Sequence, residues 1–187
     1  ISNIVDLYVL TQEYDTSYRQ YITDAVNRTV EPTPPSNLDL ASKYTDLDKY
    51  KSVSDTVVLH SAVYKKLFGS RADSSLQATF KVIKNPNFNI SDAEIKTAVI
   101  SAVNDYFELD NWDFGESFYF SEFAAYLHKI LSPKIASIAI LPKSLNYKYG
   151  SLYQINCEPY EILISVATVD DVEVVDNLSS IELQTGR

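Results

Sequence analysis

An aromatic-rich segment around one glycine, Gly115, is the feature that most constrains the fold of this chain. Its aromatic residues are Tyr106, Phe107, Trp112, Phe114, Phe118, Tyr119, Phe120 and Phe123. Because the chain contains only 4 Gly and 1 Trp, the placement of Trp112 shortly before Gly115 indicates a turn whose shape matters. Rings at this density must be buried in a core or must bind a large partner surface. No nucleophile with a base, metal-ligand cluster or phosphate-binding loop accompanies them, which favours packing and assembly over catalysis.

Length, charge and cysteine content narrow the class of protein. A chain of 187 residues is long enough to bury a hydrophobic core without disulfides. Its 1 Cys, Cys157, is expected to be a buried, unreactive thiol. The formal charge of −9 opposes binding to a phosphate backbone, so we expect no nucleic-acid partner. No apolar run approaches the roughly 20 residues of a membrane helix, so we expect a soluble protein without a membrane partner.

The first residue gives a further expectation about the length of the natural protein. The chain starts with Ile1 and contains 0 Met. A complete translation product would ordinarily begin with methionine. We therefore expect a fragment or processed piece of a longer protein.

Hydrophobic periodicity predicts a mixture of short helices and strands. The predicted elements are strand 4–10, helix 17–28, helix 37–50, strands 56–59 and 76–82, helices 91–106 and 121–131, and strands 134–141, 151–155 and 160–167. Prolines within residues 31–36 predict a stiff, extended connector. Ser91 and Glu94 have the spacing of a capping box, which gives the clearest helix start in the chain.

The order of these elements predicts an α+β fold. We set aside the predicted helix 17–28 as an insertion. We take the predicted helices 91–106 and 121–131 as one broken crossover between two strands. The remaining order is then β-α-β-β-α-β, which is typical of a ferredoxin-like split β-α-β core. The predicted core domain covers residues 1–141, with a helical insertion at about residues 16–36. A β-rich C-terminal appendage is predicted for residues 142–187.

Acidic residues near the aromatic segment form a second candidate site. They are Asp105, Glu108, Asp110, Asp113, Glu116 and Glu122. A calcium loop is excluded because Trp112 and Phe114 occupy positions that must coordinate the ion. Carboxyl pairs can serve a glycosidase, and Asp113, Glu116 or Glu122 would then supply acid and base. Because any acidic protein offers many such pairs, we expect these residues to form a solvated acidic surface instead.

The other reactive side chains indicate no catalytic site. The chain has 2 His, which are His60 and His128, and neither accompanies a nucleophile motif. We therefore expect no enzyme activity, no catalytic residues, no cofactor and no bound metal.

The aromatic rings themselves leave two interpretations open. All of them can be core, or some can reach a partner, since aromatic residues are enriched both in cores and in the buried centres of interfaces. The 14 Tyr of the chain suit contacts at the partly solvated edge of an interface, because the tyrosine ring is apolar and its hydroxyl is polar. The predicted interface residues are Trp112, Phe114, Phe118, Tyr119 and Tyr153.

A series of short motifs carries a family resemblance. In chain order they are Asp105-Tyr-Phe107, Trp112-x-Phe-Gly115, Phe118-Tyr-x-Ser-Glu122, Tyr126-Leu, Gly150-x-Leu-Tyr-Gln-Ile-x-Cys157 and Glu161-Ile-Leu. Together with the capped helix before them, these motifs resemble the C-terminal part of the baseplate wedge proteins of T-even-type contractile-tailed bacteriophages. Those proteins lie within the broader baseplate-J-like group. The resemblance covers residues 38–175.

The resemblance implies a structural role in a virion. Such a subunit has no enzymatic activity or small-molecule substrate. It joins copies of itself, as a homodimer or ring, and other wedge proteins into a ring around the central hub of the tail baseplate. Assembly would take place in the host cytoplasm. Two alternatives stay open at this point, namely a tail-associated cell-wall glycosidase and a regulatory or small-molecule-binding module of the kind that split β-α-β folds often host.

Overall fold

A computed structural model describes residues 4–24, 26–46, 56–143 and 154–176. The strands in these ranges are β1 (Ile4–Val9), β2 (Thr56–Ser61), β3 (Val63–Leu67), β4 (Ala78–Lys84), β5 (Phe118–Tyr119), β6 (Ile135–Pro142), β7 (Gln154–Ile155), β8 (Glu161–Ser165) and β9 (Val172–Val174). The helices are α1 (Gln12–Thr23), α2 (Asn37–Lys43), α3 (Asp92–Tyr106) and α4 (Phe120–Leu131). The predicted α+β class is confirmed.

The strands pair in several small sheets. Strand β4 is central in a three-stranded sheet, antiparallel to β6 and parallel to β9. Strand β1 pairs in parallel with β2, β3 pairs in parallel with β8, and β5 pairs antiparallel with β7. The ferredoxin-like arrangement is not confirmed, because the described strands form sheets of two or three strands and not one four-stranded sheet.

The C-terminal strands are interleaved with earlier ones. Strand β8 adds to β3, and β9 adds to β4, so that Val172 lies opposite Phe80. Val172 is fully buried in the same hydrophobic cluster as Phe80. Residues 142–143 and 154–176 are the described part of the predicted appendage. Of these, Ile155, Leu163, Ala167 and Val172 lie in the same hydrophobic cluster as residues of the predicted core domain.

The larger of two hydrophobic clusters lies between the three-stranded sheet and helices α3 and α4. Its rings, here called the phenylalanine core, are Phe68, Phe80, Phe107, Phe118, Phe120 and Phe123. In α4, Phe123, Leu127 and Leu131 face inward at helical spacing, as predicted. The capping box predicted before α3 is also present, since the Ser91 hydroxyl accepts from the Glu94 amide at 3.3 Å and Glu94 Oε2 accepts from the Ser91 amide at 2.9 Å.

A second cluster of buried rings packs α1 against β3 and β8. This tyrosine cluster consists of Tyr14, Tyr18, Tyr21 and Tyr64. Ile162 and Ile164 of β8 pack against these rings. The sequence did not predict this cluster.

Helix α1 corrects the predicted helix 17–28. It starts earlier, after Thr11, whose hydroxyl accepts from the Tyr14 amide at 3.3 Å. The reason is that tyrosines form the buried stripe of this helix. Val26, which lies within the predicted helix 17–28, is beyond the end of α1 and is exposed.

Helix α2 is shorter than the predicted helix 37–50. Its N-cap is Ser36, because Ser36 and Asp39 complete a capping box. Leu40 is its buried residue, whereas Leu47 lies outside the described residues. No helix within the described ranges is long and apolar enough to cross a membrane.

Candidate functional site

The aromatic turn around Gly115 is fixed to the start of β8. Gly115 has a φ of +71°, a conformation that favours glycine, and its amide donates to the Glu161 carbonyl at 2.9 Å. A Cβ on Gly115 would approach Pro159 Cα to 3.2 Å. The turn thus has a backbone conformation that accounts for the glycine at this position.

Trp112 connects the turn to the core. Its ring stacks on Phe107 with a centroid distance of 5.5 Å and an interplanar angle of 8°. The indole N–H donates to the Tyr106 carbonyl at 2.9 Å. Trp112 is nevertheless only half-buried, because one side of the ring lines a groove. The residue thus has both the core role and the surface role that the sequence left open.

The larger surface depression, here called the aromatic groove, has a volume of about 620 Å³. It lies between the end of α3, the aromatic turn, β5 and α4. The side chains that define it are Tyr106, Trp112, Glu116, Tyr119, Glu122 and Tyr126. Asn111 and Ser117 complete the lining.

A second depression, here called the β1 groove, lies beside the first and has a volume of about 420 Å³. Trp112 contributes to both depressions. Tyr8 and Phe114 line the β1 groove with their ring centroids 6.5 Å apart, and Leu109 and Ile162 add aliphatic surface. The aromatic turn therefore separates two depressions of different chemistry, one acidic and aromatic, the other mostly apolar.

The aromatic groove has a negative electrostatic environment. Burial, reinforced by the charges of Glu122 and Glu116, raises the pKa of Tyr106 to about 12. Burial, followed by the charges of Asp105 and Glu108, likewise raises the pKa of Tyr126. Carboxylates from the end of α3, the turn and the start of α4 thus act together on the rings of this groove.

The structure separates the predicted interface residues into different groups. Phe114 and Tyr119 are exposed, and Trp112 is half-buried at the grooves. Phe118 is fully buried, so its ring belongs to the core and is not accessible to a partner. This corrects its assignment to a contact surface, since Phe118 and Tyr119 are neighbours in a strand and point to opposite faces. Tyr153 lies outside the described residues.

Two of the three acids considered for a glycosidase share the aromatic groove. Glu116 and Glu122 both line it, whereas Asp113 lines the β1 groove. Glu116 Oε2 also accepts from the Asp113 amide at 3.0 Å, which holds that carboxylate against the turn. Among the described residues, no group of three or more His, Cys, Asp or Glu side chains is arranged to hold a metal ion.

Sequence reasoning did not assign Tyr106 and Tyr126 to a contact surface. Both are half-buried and present part of their rings to the groove. A local signal for Tyr126 exists, because it lies four residues after Glu122 in α4 and such residues share a helix face. The approach of Tyr106 depends on the packing of α3 against α4, which the sequence does not specify.

Two further reactive side chains, His60 and Cys157, lie in different environments and do not form one site. His60 Nε2 is 2.8 Å from Asp6 Oδ1 on the β1–β2 pair. Cys157 is half-buried, and burial raises its pKa to about 11, so it is a thiol at neutral pH. The raised pKa favours the expected unreactive thiol, whereas the expected burial of Cys157 is only partial.

Comparisons with known sequences add no assignment to these features. The search against protein-family models finds no family that matches the chain, and the search of curated proteins finds no matching protein.

Proposed function

We propose that this chain is a structural subunit of a contractile phage tail baseplate, a wedge protein that joins copies of itself and neighbouring wedge proteins around the hub in the virion. The observation that carries the proposal is a pair of exposed rings beside the half-buried Trp112. Phe114 and Tyr119 are 39% and 40% exposed, respectively. Aromatic residues are enriched at protein interfaces and contribute disproportionately to their affinity.

The motifs that carry the family resemblance supply these rings. The Trp112-x-Phe-Gly115 and Phe118-Tyr-x-Ser-Glu122 segments each place one ring in or against the core and one at the surface. In a motif of this kind, one ring stabilises the fold and a ring close to it in sequence is available for contact with a partner. That coupling supports a role in assembly.

The rings project from a rigid support. Trp112 is held by stacking on Phe107 and by its hydrogen bond to Tyr106, and Gly115 is fixed to β8 by its backbone bond to Glu161. A contact surface that is ordered before binding loses less conformational entropy on association. This favours a stable assembly contact, which would bury at least about 1,000 Å².

Sedimentation velocity over a range of concentrations tests the proposal, with electron microscopy of the particles that form. We expect the chain to self-associate and the double variant Phe114→Ser/Tyr119→Ser to weaken self-association about tenfold or more. Its melting temperature is expected to stay close to that of the parent, because both rings are exposed.

The control is the double variant Phe88→Ser/Ile130→Ser. Phe88 is 39% exposed and Ile130 is 49% exposed, and neither lines the two grooves. The control should self-associate like the parent. A parent chain that stays monomeric at high concentration, or a control that loses association equally, would contradict the proposal.

A second candidate function is a carboxylate-based cell-wall glycosidase. The observation that favours it is the presence of Glu116 and Glu122 in one groove with aromatic rings. Such an enzyme needs two carboxyl groups on opposite sides of the scissile bond. A cell-wall clearing assay with the parent, Glu116→Gln and Glu122→Gln decides the matter. Clearing that disappears in both variants would replace the structural proposal with this one.

A further inference from the structure

We propose that the aromatic groove binds an arginine side chain presented by a partner protein. The inference rests on the proposed assembly function and deepens it by specifying the chemistry of the partner segment. It concerns the groove defined by Tyr106, Trp112, Tyr119 and Tyr126 together with Glu116 and Glu122.

The ring arrangement provides faces for a cation. The ring centroid of Tyr106 lies 5.6 Å from that of Trp112 and 5.0 Å from that of Tyr126, and the corresponding interplanar angles are 68° and 53°. The rings are thus inclined to one another and form an angled aromatic wall. The negative face of an aromatic ring attracts a cation placed over it, and tryptophan and tyrosine are the strongest of these rings.

The charges of the groove complement a cation. Glu116 and Glu122 are exposed at its edge, and the lining residues include no Lys or Arg. Asp105 and Glu108 lie near enough to act electrostatically on Tyr126. A negative cleft of this kind attracts and orients a positively charged group.

Two neutral polar groups of the groove already donate hydrogen bonds within the protein. Asn111 Nδ2 already donates to the Asp105 carbonyl at 2.9 Å, and the Ser117 hydroxyl donates to Asn156 Oδ1 at 3.0 Å. The carboxylates of Glu116 and Glu122 add only acceptors at neutral pH. The tyrosine hydroxyls of the lining can donate or accept, so it is the two carboxylates that favour a ligand rich in donors, such as a guanidinium group.

Arginine fits this combination better than lysine. Its guanidinium group is planar, stacks on aromatic faces and donates to carboxylates through a fixed fork of N–H groups. A lysine ammonium is a more strongly hydrated point charge without a flat face. The groove therefore discriminates between two cations of equal charge.

Fluorescence of the sole tryptophan provides a direct binding assay, because Trp112 lines the groove and the chain has 1 Trp. The probes are hexa-arginine, hexalysine and hexaglutamate peptides and a chito-oligosaccharide. We expect hexa-arginine to change the emission of Trp112 with saturation, hexalysine to bind more weakly, and the other two probes to have no effect. The double variant Glu116→Gln/Glu122→Gln should weaken hexa-arginine binding about tenfold.

A charge-matched control separates a specific groove from attraction to the net negative charge. Asp73 and Asp170 are exposed and do not line the groove, so Asp73→Asn/Asp170→Asn removes two charges elsewhere. It should retain parental affinity for hexa-arginine. Equal weakening by both double variants, absence of hexa-arginine binding, or saturable binding of the oligosaccharide alone would overturn the inference.

Sedimentation of the parent and of the Phe114→Ser/Tyr119→Ser variant, combined with the peptide-binding assay, distinguishes the two proposals. If the parent self-associates through Phe114 and Tyr119 while hexa-arginine fails to bind, the arginine inference is wrong and the assembly function stands. If the parent is monomeric yet binds hexa-arginine in the groove, the assembly proposal loses its support and the groove remains a cation-binding site.

Discussion

The phenylalanine core and the tyrosine cluster bury similar rings but stabilise the protein through different physics. In the phenylalanine core, Phe123 stacks on Phe68 with a centroid distance of 5.5 Å and meets Phe80 and Phe107 edge to face. These rings contain no polar atom, so their stability comes from burial and packing alone. A dry core of this kind has no titrating group on its rings.

The tyrosine cluster combines packed rings with charged partners. The Tyr18 hydroxyl donates to Glu31 Oε1 at 2.6 Å, and the Tyr64 hydroxyl donates to Asp15. Burial raises the pKa of Tyr14 to about 12. Arg71 lies 4.0 Å from the centroid of the Tyr21 ring. This cluster is therefore sensitive to pH, whereas the phenylalanine core is not, and the difference allows the two regions to be separated by experiment.

The largest expected effect belongs to the phenylalanine core. Phe123→Ala should lower the free energy of unfolding by about 3 to 5 kcal/mol, because a fully buried ring is replaced by a cavity. Urea denaturation followed by circular dichroism measures the change. Ile130→Ala, an exposed position in the same helix, should change it by less than about 0.5 kcal/mol. A loss below about 1 kcal/mol for Phe123→Ala would show that the ring is not central.

The sequence predicted part of the phenylalanine core where the signals are local, whereas it assigned the buried Phe118 to an interface. Phe123, Leu127 and Leu131 follow helical spacing within α4, and the capping box at Ser91 requires only residues of one turn. The tyrosine cluster was missed because Tyr18 and Tyr64 are distant in the chain and meet only in the folded protein. Local periodicity contains no information about such a contact.

Strand β3 was missed for a related reason. Its two central residues, Lys65 and Lys66, interrupt the alternation that predicts a half-buried strand. The fold tolerates them because Lys65 Nζ lies 2.8 Å from Glu161 Oε2 and Lys66 Nζ lies 2.6 Å from Glu31 Oε2. Ion-pair partners from distant segments thus stabilise a strand whose local sequence lacks the alternation typical of strands.

The candidate site was predictable only in part. The aromatic turn and the acids Glu116 and Glu122 were evident from composition and spacing. Their convergence in one groove with Tyr106 requires the packing of α3, the turn and α4. The opposite orientations of Phe118 and Tyr119 were not predicted, because the sequence analysis placed no strand at these residues and β5 is seen only in the structure.

The next largest effect tests whether hydroxyl groups matter in the tyrosine cluster. Tyr18→Phe keeps the buried ring and removes the hydrogen bond to Glu31. We expect a loss of about 1.5 kcal/mol in the free energy of unfolding at neutral pH, because the acceptor is charged. Urea denaturation is again the measurement. A stability equal to that of the parent would mean that the cluster behaves like a second hydrocarbon core, and the contrast between the two regions would fail.

The smallest expected effect is an acid-dependent contribution from Glu31. Burial alone would raise its pKa, but hydrogen bonds from Lys66 and Tyr18, with the charges of Lys66 and Arg71, outweigh burial and hold the pKa below the usual 4.5. A carboxyl group with a lowered pKa in the folded state stabilises the protein above its unfolded pKa. That stabilisation is lost as the pH falls through the folded value.

Glu31→Gln should therefore be less stable than the parent at neutral pH by about 1 kcal/mol or less, since the Glu31 carboxylate is exposed. The difference should shrink as the pH falls below about 4.5, because the parent then also loses the charge. The Phe123→Ala difference serves as the comparison and should stay constant over the same pH range, since no ring of that core titrates. A Glu31→Gln difference that is equally constant would remove the pH sensitivity that distinguishes the tyrosine cluster from the phenylalanine core.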